Sequence, residues 1–339
     1  RRQRQMCIRD SVHGVLRFTL MQAGLSALLS AIFALPLALA MHRRVFPGRQ
    51  LILRVMLLPQ ALPTLVAALG ILAVFGRSGV LSSALAAAGI GRLDIYGLTG
   101  ILIAHVFFNM PLATRLMLAA LSAIPAESWK LAGQLSMGRR ATFRLVEWPA
   151  IHAALPGILT LVFMLCVTSF AIVLVLGGGP SATTLEVAIY QALRYDFDPA
   201  RVTALSLLQI VVVSLVLAVS SVLGRPDGGI TSLGGRARRY DKDGPAARLA
   251  DTALIVTGLA FILAPFGAIL WNGLASDLRG LAMQPAVQRA LLTSLAIAIS
   301  ATAMGLALSL ALALGRQGRR RGLVDYAGSV VLVVPPIVV

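Results

Sequence analysis

Apolar and polar positions alternate along this chain on the scale of whole helices rather than single residues. Eight long apolar runs stand out, at 16–41, 51–75, 97–121, 153–177, 202–223, 250–272, 289–315 and from 326 to Val339. Most exceed the roughly 20 residues that cross a hydrocarbon layer as a helix. Helix is the only choice for such runs, because a backbone in lipid must satisfy its polar groups internally. The last run is too short to span where the sequence stops. The pattern predicts an all-α, polytopic membrane helical bundle.

The polar residues sort themselves between the runs. Glu127, Glu147, Asp196, Asp198, Asp227, Asp241, Asp243 and Asp277 all lie there, and none of the thirteen acidic residues sits at the middle of a run. An ion-coupled secondary carrier often needs a membrane-embedded carboxylate, so its absence weighs against that mechanism. Lys and Arg are more telling. The four loops that follow the first, third, fifth and seventh runs hold eighteen of them, against six in the alternate loops. That asymmetry is the positive-inside pattern and puts the basic loops in the cytoplasm of a multi-pass membrane protein. It also leaves the start of the first run outside, which predicts a further helix before it.

Composition agrees. Of 339 residues, 58% are hydrophobic and 13% charged, too few charges to clothe a soluble enzyme or to keep a chain disordered. The net charge of +17 would suggest nucleic acid as partner in a soluble protein. Here it belongs to the cytoplasmic loops, and no nucleic-acid partner is expected. Cys7 and Cys166 stand alone, with no CxxC or Cys/His cluster, so neither a metal site nor a disulfide framework is expected; the transport reading below brings no cofactor and no catalytic residue.

The chain carries an internal repeat. LPLALAMHR at 35–43 returns as LSLALALGR at 308–316, and MLLPQALP at 56–63 as LVVPPIVV at 332–339. The order helix, basic turn, helix, proline is shared, as in transporters built from two parallel halves. The expected organisation is a doubtful, non-native or disordered head at 1–11, a first permease domain at 12–223, a cytoplasmic linker at 224–248, and the start of a second, truncated domain at 249–339.

The loop between the third and fourth runs, Ile124 to Ile151, reads IPAESWKLAGQLSMGRRATFRLVEWPAI. Pro125 suits a helix start and Glu127 its first turn. Trp129, Leu131, Ala132 and Leu135 recur at helical spacing and form a short apolar stripe beside the membrane. This loop resembles the EAA loop of ABC importer permeases. Phe143 and Pro149 reproduce the closing spacing of that motif, and Ala132 falls on its second alanine. Lys130 stands where the motif has glutamate, Leu131 replaces an alanine, Ser136 takes the glycine position, and Trp148 precedes the proline instead of leucine. The resemblance implies a type I permease fold and a coupling role. Glu127, Trp129, Lys130, Leu131, Ala132, Leu135, Ser136, Gly138, Phe143 and Pro149 would form a helix and flanks that dock on a cytoplasmic, dimeric ABC ATPase. An interfacial helix lying on membrane lipid is the plainer reading.

Longer segments, among them FTLMQAGLSALLSAIFALPLALAMHRR and LGGGPSATTLEVAIYQALRYDFD, resemble the thiamine (thiamine pyrophosphate) branch of that family. The resemblance implies a periplasmic binding protein as second partner, thiamine or its phosphates as substrate, and ATP hydrolysis in a separate subunit. A ferric-iron or other small-solute permease is the alternative.

His105 and Asn109 share a helix face and could line a translocation path; interhelical hydrogen bonding is the blander and favoured role. Arg115 is near the cytoplasmic end of its run, where it can snorkel. Gly177 to Pro180 lack the GK[ST] of a phosphate loop and read as an external turn. Glu186, Gln191, Arg194, Tyr195, Asp196 and Asp198 follow outside, facing either the binding protein or solvent. The prolines Pro59, Pro63, Pro335 and Pro336 recur at matching repeat positions and read as helix breaks.

Overall fold

A computed structural model describes residues 2–177, 179, 182–223 and 244–315. Fifteen helices are found among them, and no strand. They are α1 (Arg2–Arg43), α2 (Arg49–Val55), α3 (Leu58–Ala61), α4 (Thr64–Phe75), α5 (Val80–Ala87), α6 (Leu98–Ser122), α7 (Ala126–Gln134), α8 (Arg139–Thr142), α9 (Trp148–Val167), α10 (Ala171–Leu176), α11 (Leu185–Arg194), α12 (Pro199–Leu223), α13 (Pro245–Leu274), α14 (Leu278–Met283) and α15 (Pro285–Gly315). Seven stretches among the described residues are long and apolar enough to cross a membrane. The eighth run, Pro335 and Pro336, and residues 224–243 of the expected linker lie outside the described residues.

The chain divides into two compact units, Arg1–Ala268 and Ile269–Val339. In the first, α1 packs along α6 and α9. The reason is written in α1: Ala23, Ser26, Ala27, Ser30, Ala31, Ala34 and Ala38 are all buried and recur every three or four residues. Such a small-residue stripe lets helix backbones approach closely where lipid supplies no hydrophobic drive between helices. Larger groups fill the flanks. Phe107 sits against Phe108, Phe261 and Phe266 at ring-centroid distances of 5.3, 6.3 and 5.9 Å. The two phenylalanines Phe261 and Phe266 belong to α13, so the helix expected to open a second domain at 249 begins inside the first compact unit.

Two spans differ in outline from the sequence reading. The run 51–75 is broken into α2, α3 and α4, with Leu62 and Pro63 extended between the last two. Pro59 and Pro63 lack the amide hydrogens a continuous helix would need. The run 153–177 starts earlier and ends earlier. A π-turn at Phe143–Glu147 joins α8 to α9, and α9 stops at Val167 before α10 resumes at Ala171. The π-turn lies just ahead of Pro149, whose missing N–H already disturbs the ladder there. Residues 2–11, set apart in the sequence as a head, continue the backbone of α1. The second unit holds α14 and α15 among its described residues. Asp277 caps α14 by accepting from Gly280 N at 2.9 Å.

Candidate functional site

The loop between α6 and α9 builds a short helix with two unlike faces. Pro125, extended, starts α7, and Glu127 lies in its first turn. The expected apolar stripe does not hold to one side. Trp129 and Ala132 turn inward and are buried, whereas Leu131 and Leu135 are 54% and 60% exposed. The split follows from spacing: Trp129 and Ala132, three apart, share one face, Leu131 and Leu135, four apart, share another, and Trp129 and Leu131, two apart, point to opposite sides. Trp129 stacks on His42 at the end of α1, with ring centroids 5.3 Å apart. Lys130, Leu131, Leu135 and Glu127 are left on the outer side.

The turn after α7 explains one departure from the EAA pattern. Ser136 has φ of +50°, the left-handed region. A side chain there costs roughly 1–2 kcal/mol, which glycine avoids. The motif's glycine position is thus a backbone requirement, which Ser136 meets under strain. Gly138 precedes α8 in extended conformation, and Phe143, half-buried, packs on Trp148 at 6.0 Å. Pro149 is exposed near the start of α9.

Five charged residues outside the predicted set pin this loop down. Arg43, at the end of α1, donates to Glu147 at 2.7 Å, and Glu147 is 0% exposed. Arg44 and Arg139 donate to the two carboxylate oxygens of Asp251, at 2.5 and 2.7 Å. Asp251 is 1% exposed and sits near the start of α13. Buried carboxylates must be paired, and these are held by charge-assisted bonds from arginine, the residue best shaped for them. The sequence presents Arg43, Arg44 and Arg139 only as orientation charges and Glu147 only as an acid between apolar runs; in the fold Glu147 is fully buried. The signal available was position. Glu147 lies within the EAA-like loop, and Asp251 is an acid within the first turns of an apolar run.

His105 and Asn109 lie in the interior of the first unit. Ser26 Oγ is 2.9 Å from His105 Nδ1, and Asn109 Nδ2 donates to Cys166 Sγ at 3.4 Å. Gln22 Nε2 donates to the Cys166 carbonyl at 3.1 Å. These bonds join α1 to α6, α1 to α9 and α6 to α9.

At the opposite end, α11 is tied to α1 and α12. Leu185 N donates to Thr19 Oγ1 at 3.0 Å, satisfying one amide of the first turn of α11. Glu186 is not solvated: it is 1% exposed and accepts from Gln209 Nε2 of α12. Burial pushes its carboxyl up to about 7, against an opposing pull from the Gln209 bond. Asp196, by contrast, pairs in the open with Arg201 at 3.1 Å.

A helical bundle whose cytoplasmic loop carries an amphipathic helix is the arrangement expected of a permease. The sequence profile described as "binding-protein-dependent transport system inner membrane component" matches residues 31–225. The chain belongs to this family. It is therefore a multi-pass inner-membrane transport component rather than an enzyme. This permease chain is 48% identical over 332 residues to the thiamine transport system permease protein ThiP of Brucella abortus (strain 2308), a match covering 96% of the chain and 61% of that protein. It is also 48% identical over 285 residues to ThiP of Escherichia coli (strain K12), covering 84% of the chain and 53% of that protein. The chain thus spans less than two thirds of the length of these relatives. A probable sulfate transport system permease protein, cysT of Helicosporidium sp. subsp. Simulium jonesii, is 32% identical over 195 residues, covering 57% of the chain and 72% of that protein. Among solved structures, a bacterial ABC transporter involved in the import of the acidic polysaccharide alginate has a similar fold, with TM-score 0.54 and 17% identity over 65% of the chain and 80% of the neighbour.

Proposed function

We propose that the chain is the membrane part of an ABC importer that carries thiamine or its phosphates inward. A periplasmic binding protein delivers the substrate, and a separate cytoplasmic ATPase drives the cycle. The observation that carries the substrate is the 48% identity to thiamine permeases along 96% of the chain. The more distant likeness to a sulfate permease supports the transport class and is silent on thiamine.

The coupling step rests on α7. Leu131 and Leu135 project from its outer side with Glu127 and Lys130 around them, an apolar pair in a charged rim. A helix presenting such a pair suits a groove on another protein. Movement of α7 passes through Trp129 to the end of α1 and through the Arg139–Asp251 pair to α13. The organisation that suits this role keeps 12–223 as one permease domain, 224–248 as linker and 249 onward as the start of a second. The family match ending at 225 supports the first boundary.

The test is reconstitution of the chain with its ATPase and binding protein in liposomes. Thiamine should stimulate ATP hydrolysis and enter only with ATP; ferric iron and sulfate should do neither. Uptake that persists without the ATPase but collapses with the ion gradient would overturn the reading in favour of a secondary carrier.

A further inference from the structure

Glu186, in the first turn of α11, and Gln209, in α12, are both closed off from solvent. Gln209 Nε2 donates to Glu186 Oε1 at 2.5 Å. The second polar atom of each side chain, Glu186 Oε2 and Gln209 Oε1, has no hydrogen-bond partner among the described residues. The hydroxyls next along the chain, Thr184 Oγ1 and Ser206 Oγ, are themselves buried without a hydrogen bond, so neither serves Oε2. No cation answers the carboxyl either. The charged residue of α12 is Arg201, which pairs with Asp196. On α1, whose Thr19 meets the start of α11, the nearest titratable groups are Arg17 and His13, both exposed. On α11 itself Arg194 is exposed, and Tyr190 packs on Phe170 and Tyr195. From α9, which packs on α12, come His152, exposed, and Cys166, which takes the Asn109 amide.

From this arrangement we infer that Glu186 and Gln209 form a proton-operated latch between α11 and α12, closed by two hydrogen bonds when the acid is neutral and held by one when it is ionised. The leftover atoms decide it. While Glu186 is ionised both are acceptors, neither can serve the other, and a buried acceptor left unmet is costly. One proton on Oε2 makes it a donor. Gln209 Oε1 belongs to the same planar amide as the Nε2 that already binds the carboxyl, so acid and amide can close a ring that satisfies both. A hard cation such as calcium would need about six oxygens; a proton needs only these two. Burial supports the assignment, since it holds the carboxyl up to about 7 and brings the gain and loss of this proton near neutral pH.

The experiment uses the full chain in detergent and reads the acid and the helix separately. Infrared spectroscopy should show a carboxylic C=O band at pH 5.5 that is lost at pH 8.5 and is absent from E186Q. In Q209L the band should remain at pH 5.5 and move to higher frequency, as for an acid without hydrogen bonds. Hydrogen exchange, corrected for its intrinsic pH dependence, should be about tenfold faster for the α11 amides at pH 8.5 than at pH 5.5, the factor that one buried hydrogen bond is worth. E186Q presents its own amide to Gln209 Oε1, so its α11 should stay slow at both values. The absence of an E186Q-sensitive band at pH 5.5 would mean an ionised, solvated acid and would overturn the latch. So would a band that Q209L leaves unmoved, or a pH effect on α11 exchange that persists in E186Q. The wild-type titration and Q209L decide the matter even if E186Q does not fold.

Discussion

Arg139, in the loop after α7, and Asp251, in α13, lie 112 positions apart and are joined by a hydrogen-bonded ion pair of 2.7 Å. The contact ties the EAA-like loop to the helix that follows the linker. Asp251 also holds Arg44, so one carboxylate gathers the ends of three segments. Its 1% exposure makes it the costly member to remove. Asp251→Ala should destabilise the chain by about 3 kcal/mol, as when a buried pair loses one partner. Arg139 is 35% exposed, and Arg139→Gln should cost no more than about 1 kcal/mol. Thermal unfolding in detergent measures both. Equal costs would show that Asp251 is not the hub.

The Arg43–Glu147 pair is more deeply enclosed and fixes the π-turn ahead of α9 to the end of α1. Glu147→Gln should destabilise by about 2 kcal/mol, since the arginine would keep a buried charge facing a neutral amide. The apolar double replacement, Arg43→Met with Glu147→Leu, should recover part of that loss. A double-mutant cycle on unfolding midpoints gives the coupling. Strictly additive effects would mean the two residues do not act as a pair.

Much of this fold was legible in the sequence. Run length and backbone physics gave the spans. The breaks were less so. Pro59 and Pro63 were visible as prolines, but whether a proline kinks a span or ends it depends on packing that no single residue reveals. The loop was found from its spacing, yet Trp129 and Leu131 were read as one stripe although residues two apart point to opposite sides of a helix; which of the two sides is buried is decided by His42, which only the fold brings to Trp129. Glu147, Asp251 and Glu186 were hidden for a common reason. Acids near the ends of apolar runs look solvated until a distant residue arrives to bury them, and the partners here lie 104, 207 and 23 positions away.

Ser136 offers a test of backbone strain. Its φ of +50° is a conformation that glycine adopts without a clash. Ser136→Gly should be neutral to stabilising, by up to about 1 kcal/mol, the lost strain being partly offset by greater freedom of the unfolded chain. Ser136→Val should cost more than 1 kcal/mol, because a β-branched side chain fits this region worst. The reverse order of unfolding temperatures would argue against a left-handed turn.

Glu186 should make stability depend on pH. Burial raises its carboxyl to about 7, so between the ordinary carboxylate range and that value the folded chain holds a proton that the unfolded chain has released. Unfolding free energy therefore falls as pH rises through this window, and the penalty is complete above about 7. Its size should be about 3 kcal/mol. Glu186→Gln removes the titrating group and should flatten the profile between pH 5 and 8 in thermal unfolding. A wild-type profile that rises across this window would contradict the burial of an uncompensated acid.

The outer face of α7 should matter for assembly and not for folding. Leu131 and Leu135 are more than half exposed, so Leu135→Ala removes no core contact, and its effect on the unfolding temperature should stay within about 0.5 kcal/mol of stability. Combined with Glu127→Lys it changes both the apolar knob and its charged rim, and co-purification of the ATPase should drop at least tenfold. Trp129→Ala should behave in the opposite way. Trp129 is buried against His42, so its loss should cost about 3 kcal/mol in stability and weaken ATPase capture only through the misplaced helix. Unchanged capture by the Glu127→Lys/Leu135→Ala chain, with its unfolding temperature intact, would remove α7 as the docking element.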